Sequence, residues 1–218
     1  MLNNIIIAID GEASSGKSTQ AKKIADHFGY SYLDSGAFYR AITLFFNRKG
    51  ITSADQFNKN ELDNISLKSN YNNGKNLIYL NGEDVSDDIR SVKISEIVSD
   101  FAKEKEVREH VYKHLREFAK NQSNVIDGRD IGTVVFPDAD FKFFLYADPE
   151  IRAKRRFSEI DKDDINYNSV LDNLNYRDIT DSTRDIAPLK KADDAYSIDV
   201  SDLSIDNVFK KILDIIKK

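Results

Sequence analysis

The 218-residue sequence has no cysteine, three histidines and three prolines. Without cysteine there is no disulfide scaffold, no thiolate zinc or iron–sulfur ligation and no thiol nucleophile. Three prolines leave no Pro-rich linker. No hydrophobic run is long: Ile5-Ile6-Ile7-Ala8-Ile9 is cut short by Asp10, and Met1-Leu2-Asn3-Asn4 carries no positive leader. Neither a signal peptide nor a membrane span is readable, so the expected location is the cytoplasm. Positive charge is in the minority, 32 Lys+Arg against 37 Asp+Glu for a net −5, which argues against a nucleic-acid coat protein. Any anion site must therefore be locally basic. What is present is 40% hydrophobic and 11% aromatic residues, enough for one globular domain that can carry inserted subdomains.

Ile5 to Asp10 is a β-branched run ended by Gly11, and Lys17 to Phe28 follows with helical character. Strand, glycine turn and helix open a βαβ unit. Tyr30–Asp34, Val125–Asp127, Phe141–Ala147 and Tyr196–Val200 read as four further strands joined by helical pattern, implying a five-stranded parallel sheet in a three-layer α/β fold. Two segments break the rhythm. From about Asn58 to Arg90 the chain turns polar and Asn-rich, with Tyr71-Asn72-Asn73-Gly74-Lys75 and Asn81-Gly82 as turn signals around Leu77–Leu80, which predicts a small β-containing insertion. From about Arg152 to Ala187 it is helical by period but charge-dense with few large apolar residues, which predicts a mobile cover outside the core.

Gly11-Glu12-Ala13-Ser14-Ser15-Gly16-Lys17-Ser18 fits G-x-x-x-x-G-K-[ST] and lies between a strand and a helix, the context a phosphate-binding P-loop requires. Its glycines let the backbone turn N–H groups toward a phosphate, and the following helix adds partial positive charge. Lys17 would reach the β/γ-phosphates and Ser18 would hold Mg²⁺. No Asn/Thr-Lys-x-Asp guanine motif and no Leu-Ser-Gly-Gly-Gln stretch is present. Arginines decide between the classes left: Arg40, Arg129, Arg152, Arg155, Arg156, Arg177 and Arg184 fall near strand ends or in the charged cover, where guanidinium forks suit phosphate oxygens. Arg152, Arg155 and Arg156 share one helical face, as do Arg177, Asp181 and Arg184. Two strand-end loops, Asp34-Ser35-Gly36-Ala37-Phe38-Tyr39-Arg40 and Asp127-Gly128-Arg129-Asp130, each bring an arginine beside the P-loop and suggest a second phosphate-bearing substrate.

The P-loop, the Asp34–Arg40 segment, Asp127-Gly128-Arg129-Asp130-Ile131-Gly132-Thr133-Val134-Val135-Phe136-Pro137 and Ala187-Pro188-Leu189 together resemble the bacterial cytidylate kinases, in order and over essentially the whole chain. Glu12 stands where that family more usually has Pro, a position expected to contribute mainly backbone. The resemblance implies a P-loop nucleoside monophosphate kinase that moves the γ-phosphoryl group of MgATP to CMP or dCMP. It also implies a core of residues 1–35, 111–150 and 187–218, a monophosphate-binding domain over 36–110 and a lid over 151–186.

At matching positions, residues Gly11, Glu12, Ala13, Ser14, Ser15, Gly16, Lys17, Ser18 and Thr19 would take ATP. Arg40, Arg129 and Arg184 would grip the CMP phosphate, and Ser35 and Tyr39 would also bind CMP. Ser99, Arg108 and Asp130 would read cytosine, and Arg177 and Asp181 would meet the ribose. Lys17, Arg129, Arg152, Arg155, Arg156 and Arg184 are the candidate catalytic cations. The acceptor oxygen is already anionic, so no general base is needed and the scarcity of histidine is no obstacle. The expected partners are the two small-molecule nucleotides, with no nucleic acid and no membrane, and the chain is expected to act as a monomer. His110 and His114, spaced i, i+4, lack the Glu of a zinc hydrolase and are expected on a solvated helix face. Ile205–Ile216 is expected to be an amphipathic helix packed on the core, ending in Lys217-Lys218.

Overall fold

The β-branched run after Ile5 becomes the central strand of the molecule. In the computed structural model, which describes residues 4–72, 74–159 and 166–217, β1 (Ile6–Gly11) pairs in parallel with β6 (Asn124–Gly128) on one side and β7 (Phe141–Tyr146) on the other. Beyond β6 lies β2 (Ser31–Asp34), and beyond β7 lies β8 (Tyr196–Asp199), giving the order β2-β6-β1-β7-β8. The expected parallel sheet is therefore present, each strand within two residues of its predicted ends. The readings that touch Met1–Asn3, Asn73, Lys218 and 160–165 of the cover fall outside the described residues.

Helices cover both faces, so the strands read as near-continuous apolar runs. On one face, α1 (Lys17–Phe28) and α7 (Ile205–Ile216) bury Ile24, Val208 and Ile212 against Ile7, Ile9 and Phe143. On the other, α2 (Ser35–Arg48) and α4 (Lys105–Ala119) pack Phe38, Val111 and Leu115 against Ala8, Leu33 and Ile126. Between α2 and α4 the chain forms β3 (Leu67–Asn72), β4 (Lys75–Leu80) and β5 (Glu83–Asp84), an antiparallel sheet, followed by α3 (Val92–Ala102). Tyr71, at the far end of β3, reaches back to the core, where its hydroxyl donates to Asp26 at 2.7 Å and its ring meets Tyr32 edge-on.

Two expectations are corrected. His110 and His114 are half-buried: His110 Nε2 lies 3.1 Å from the Ile65 carbonyl, and His114 Nδ1 lies 2.9 Å from the His110 carbonyl. His110 faces the inserted segment and His114 faces the Phe38 ring of α2, so this side of α4 is partly covered. The charged cover, α5 (Pro149–Glu159) and α6 (Tyr167–Thr183), has an apolar seam of its own, in which Ala153, Val170 and Leu174 close on Ala13 of the P-loop.

The loop after β6 is fixed to β1 by one carboxylate. Asp10 accepts the backbone N–H of Ile131 at 2.8 Å and of Gly132 at 2.7 Å. Burial pushes its pKa up to about 7, although both N–H groups pull the other way. Asp10→Asn turns an amide donor onto one of these N–H groups and should cost about 1–3 kcal/mol. The wild-type group adds stability that is complete below the ordinary carboxylate pKa and is lost as pH rises through about 7. The melting-temperature gap between variant and wild type should thus be widest near pH 4 and narrow toward pH 8. A gap that widens with pH would contradict this reading.

Candidate active site

The C-terminal ends of β2, β6 and β1 open on a cleft of about 1390 Å³, which exceeds the roughly 300–1,000 Å³ typical of a single small-ligand site. The cleft sits where strand order reverses around β1, the usual ligand position of an open α/β sheet.

Gly11 ends β1 at φ 146°, and a Cβ there would stand 1.9 Å from the Leu145 carbonyl oxygen, so only glycine lets the chain leave the sheet at this point. The loop then turns through Ser14 at φ 57° and Gly16 at φ 84°. Gly16 has no side chain to cap α1, and α3 and α4 likewise lack a side-chain cap, whereas α2, α6 and α7 are capped by Asp34, Asn166 and Ser204. The first amides of α1 are thus left for an anion. Lys17 Nζ is buried, donates to the Glu12 carbonyl and lies 3.5 Å from Ser15 Oγ. Burial and the nearby Arg129 push its pKa down to about 7.

Ser18 Oγ donates to Asp127 Oδ2 at 2.7 Å, and Tyr32 donates to the other oxygen at 2.8 Å. Burial, with Asp34 beside it, pushes Asp127 up to about 6. A hydroxyl and a carboxylate crowded by a second carboxylate make an oxygen donor set that suits Mg²⁺, which commonly takes one or two carboxylates together with substrate phosphates. Among the described residues no three acidic or histidine side chains form a self-sufficient metal cage.

The other end of the cleft is basic. Arg40 donates to the Ile89 carbonyl at 3.1 Å and to Ser95 Oγ at 2.8 Å. Arg129 donates to Asp181 at 2.8 Å, and Arg184 donates to Asp181 at 3.2 Å. Burial opposes the charge on Arg129, but Asp181 outweighs it and the pKa rises. For Arg177 the pull of Asp181 and Asp178 does not suffice: burial and Arg129 push it down to about 10, and burial with Arg177 pushes Arg40 down to about 9. Nε of Arg177 and Nη2 of Arg184 are buried without a hydrogen-bond acceptor. Donors in this state call for an anion.

Deeper in the cleft, Arg108 is 1% exposed and paired with Asp130 at 2.7 Å. Tyr112 binds both, accepting from Arg108 Nε at 2.8 Å and donating to Asp130 Oδ2 at 2.6 Å. Ser99 and Tyr39 are buried in the same wall, the Tyr39 hydroxyl without a partner. Ser35 Oγ donates to the Asp127 carbonyl at 2.8 Å, a contact so close that a Cβ on Gly128 would stand 2.5 Å from it.

The cleft therefore brings together Ala13–Thr19, Ser35, Tyr39, Arg40, Ser99, Arg108, Arg129, Asp130, Arg155, Arg156, Arg177, Asp181 and Arg184. Gly11, Glu12 and Arg152 do not line it. Glu12 contributes more than backbone, since its carboxylate meets Arg152 at 3.2 Å. The three arginines of α5 diverge: Arg152 turns inward, Arg155 donates to the Val200 carbonyl at 2.7 Å, and Arg156 pairs with Glu159. The sequence marks Asp127 only as the start of a strand-end loop, without a role, and gives no signal for Arg90, which lines the cleft, or for Tyr112, which braces Arg108 and Asp130 from behind its wall.

Residues 7–218 match the cytidylate kinase family. The chain belongs to that family. Cytidylate kinase of Thermosipho melanesiensis is 44% identical over 214 residues, covering 97% of this chain and 96% of its own, and that of Fervidobacterium nodosum is 45% identical over the same shares. Among solved structures, a shikimate kinase from Bacteroides thetaiotaomicron aligns over 98% of this chain and 99% of its own, with a TM-score of 0.52 at 12% identity. A gluconokinase from Sinorhizobium meliloti aligns over 96% of this chain and 90% of its own, with a TM-score of 0.50 at 14% identity. At those identities the two kinases speak for the fold alone. Among the described residues of this cytidylate kinase family member, no helix is long and apolar enough to cross a membrane.

Proposed function

We propose that this chain transfers the γ-phosphoryl group of MgATP to CMP or dCMP, giving ADP and CDP or dCDP. The reading rests above all on the basic end of the cleft, where Arg177 and Arg184 keep buried donors without a hydrogen-bond acceptor, in the same cleft as the P-loop helix with no side-chain cap. ATP phosphates lie along the amides of 13–19 with Lys17 on the transferring group. Ser18 and Asp127 would hold Mg²⁺, which neutralises phosphate charge when bound.

Arg40, Arg129 and Arg184 take the acceptor phosphate, and Arg177 and Asp181 flank its sugar. Ser99, Arg108 and Asp130 face the base. No group needs to remove a proton, because the attacking phosphate oxygen is already ionised; catalysis consists of alignment and charge neutralisation. Arg155 and Arg156, on the rim formed by α5, add cations over the phosphates and help keep water from the transferring group.

A coupled ADP-release assay over CMP, dCMP, UMP, AMP and a small hydroxyl acceptor tests the reading. CMP or dCMP should raise ADP release far above the acceptor-free rate. Preference for another acceptor would name a different kinase, and slow hydrolysis indifferent to all acceptors would name a nucleotide switch.

A further inference from the structure

Arg152 is 2% exposed and sits behind the P-loop, between two carboxylates that are distant from each other in sequence. Its Nε lies 3.2 Å from Glu12 Oε2 and donates to the Ala147 carbonyl at 2.9 Å. Its Nη1 donates to Asp178 Oδ2 at 2.5 Å and to the Ala13 carbonyl at 3.1 Å. The second oxygen of Asp178 accepts the Ala13 N–H at 3.2 Å, and Glu12 Oε2 accepts the Ala147 N–H at 3.3 Å.

Both backbone groups of Ala13 are therefore held by side chains from the helical cover, the carbonyl from α5 and the N–H from α6. The next residue, Ser14, has the left-handed φ of 57° that shapes the phosphate cradle. One residue before Asp178 on α6 stands Arg177, and three after it stands Asp181, both at the acceptor end of the cleft. The ion triad thus fastens the donor loop to the helix that carries acceptor-side groups.

We propose that Arg152 is a positioning residue, not a phosphate ligand, and that Glu12 and Asp178, its counter-ions, hold the P-loop in its binding shape. The proposal rests on the P-loop being the ATP site. Charge alone predicts the opposite sign for its test: removing a carboxylate near a triphosphate should tighten ATP binding. A tether predicts weaker binding, because the loop must then be ordered at the expense of the ligand.

Replacing Arg152 would strand two carboxylates, so the test uses Glu12→Gln and Asp178→Asn in the full chain. Both substitutions keep the shape and an oxygen that can accept the N–H, but remove the charge that Arg152 pairs with. Each should weaken ATP binding, measured by calorimetry without acceptor, by about 10-fold, a change of about 1.4 kcal/mol. In the nucleotide-free protein, amide exchange over residues 12–16 should quicken by about 10-fold in both. For Glu12→Gln, CMP binding should stay within about twofold of wild type, since Glu12 lies away from the basic end.

Unchanged or tighter ATP binding together with unchanged exchange in a cooperatively melting variant would overturn the tether. If one variant fails to melt cooperatively, the other decides. A wild-type chain that binds no ATP would overturn the kinase reading instead, and the exchange measurement would still judge the tether on its own.

Discussion

Lys17→Ala should lower turnover by roughly 10²-fold or more, equivalent to at least about 2.7 kcal/mol of transition-state stabilisation. Lys17 Nζ is buried against its own loop, bonded to the Glu12 carbonyl and near Ser15 Oγ, and Arg129 raises the local positive potential further. The carboxylates of Asp127, Asp10 and Asp178 offset that cost only in part, so the cation gains most when phosphate enters, and above all when charge builds on the transferring group. Removing it also removes a desolvated ammonium, so the melting temperature of the empty protein should not fall appreciably. The measurement is steady-state ADP release with saturating CMP, alongside thermal unfolding. Near-normal turnover in a folded variant would mean that the Gly11–Ser18 loop is not the donor site.

The P-loop was legible because its chemistry is local. A backbone cradle needs glycine at Gly11, where a Cβ meets the Leu145 carbonyl, and a cation at the first residue of the following helix, whose side chain folds back onto the loop; both demands leave marks within eight residues. Strands buried on both faces were legible for a similar reason, since they cannot alternate polar and apolar residues. The β3–β4–β5 sheet could be placed from its turns at Gly74 and Asn81-Gly82. What escaped are contacts between residues far apart in the chain. For Ser18 on Asp127, Tyr71 on Asp26 and Glu12 on Arg152 the local sequence names no partner, even where one member, such as Ser18 or Arg152, is itself a candidate site residue. Arg152, Arg155 and Arg156 show the converse limit. Helical spacing put them on one face, yet the P-loop, the β8–α7 loop and Glu159 claim one each. Spacing sets direction, whereas the surrounding fold decides which acceptor each side chain reaches in the nucleotide-free protein.

Base selectivity should depend on Asp130 and Ser99. Cytosine presents an amine donor beside N3 and O2 acceptors, and uracil reverses the first two positions, so a cytosine reader needs an acceptor facing the amine and a donor facing the other two. In the proposed site Arg108 would supply the forked donor, aimed by Asp130 at 2.7 Å, by Tyr112 and by the Ala102 carbonyl at 2.6 Å. Asp130 Oδ2 is occupied by Arg108 and Tyr112, while Oδ1 has Arg184 Nη2 at 3.8 Å and is the oxygen left to meet an amine. Against UMP this buried acceptor faces a carbonyl oxygen, costing about 1–3 kcal/mol, or about 5- to 150-fold in kcat/KM. Asp130→Asn can turn an amide donor toward that carbonyl, so the CMP-to-UMP ratio should fall by a factor within that range. CMP itself should also suffer, because Arg108 loses its counter-ion, which makes the ratio the informative readout. Ser99→Ala should narrow the ratio by a smaller factor. Tyr112→Phe is the control: Tyr112 steadies Asp130 from outside the cleft, so its loss should lower kcat/KM for both nucleotides and leave the ratio where it was. If Asp130→Asn and Ser99→Ala behave as that control does, neither side chain discriminates the bases and selectivity must reside in the backbone around Arg108.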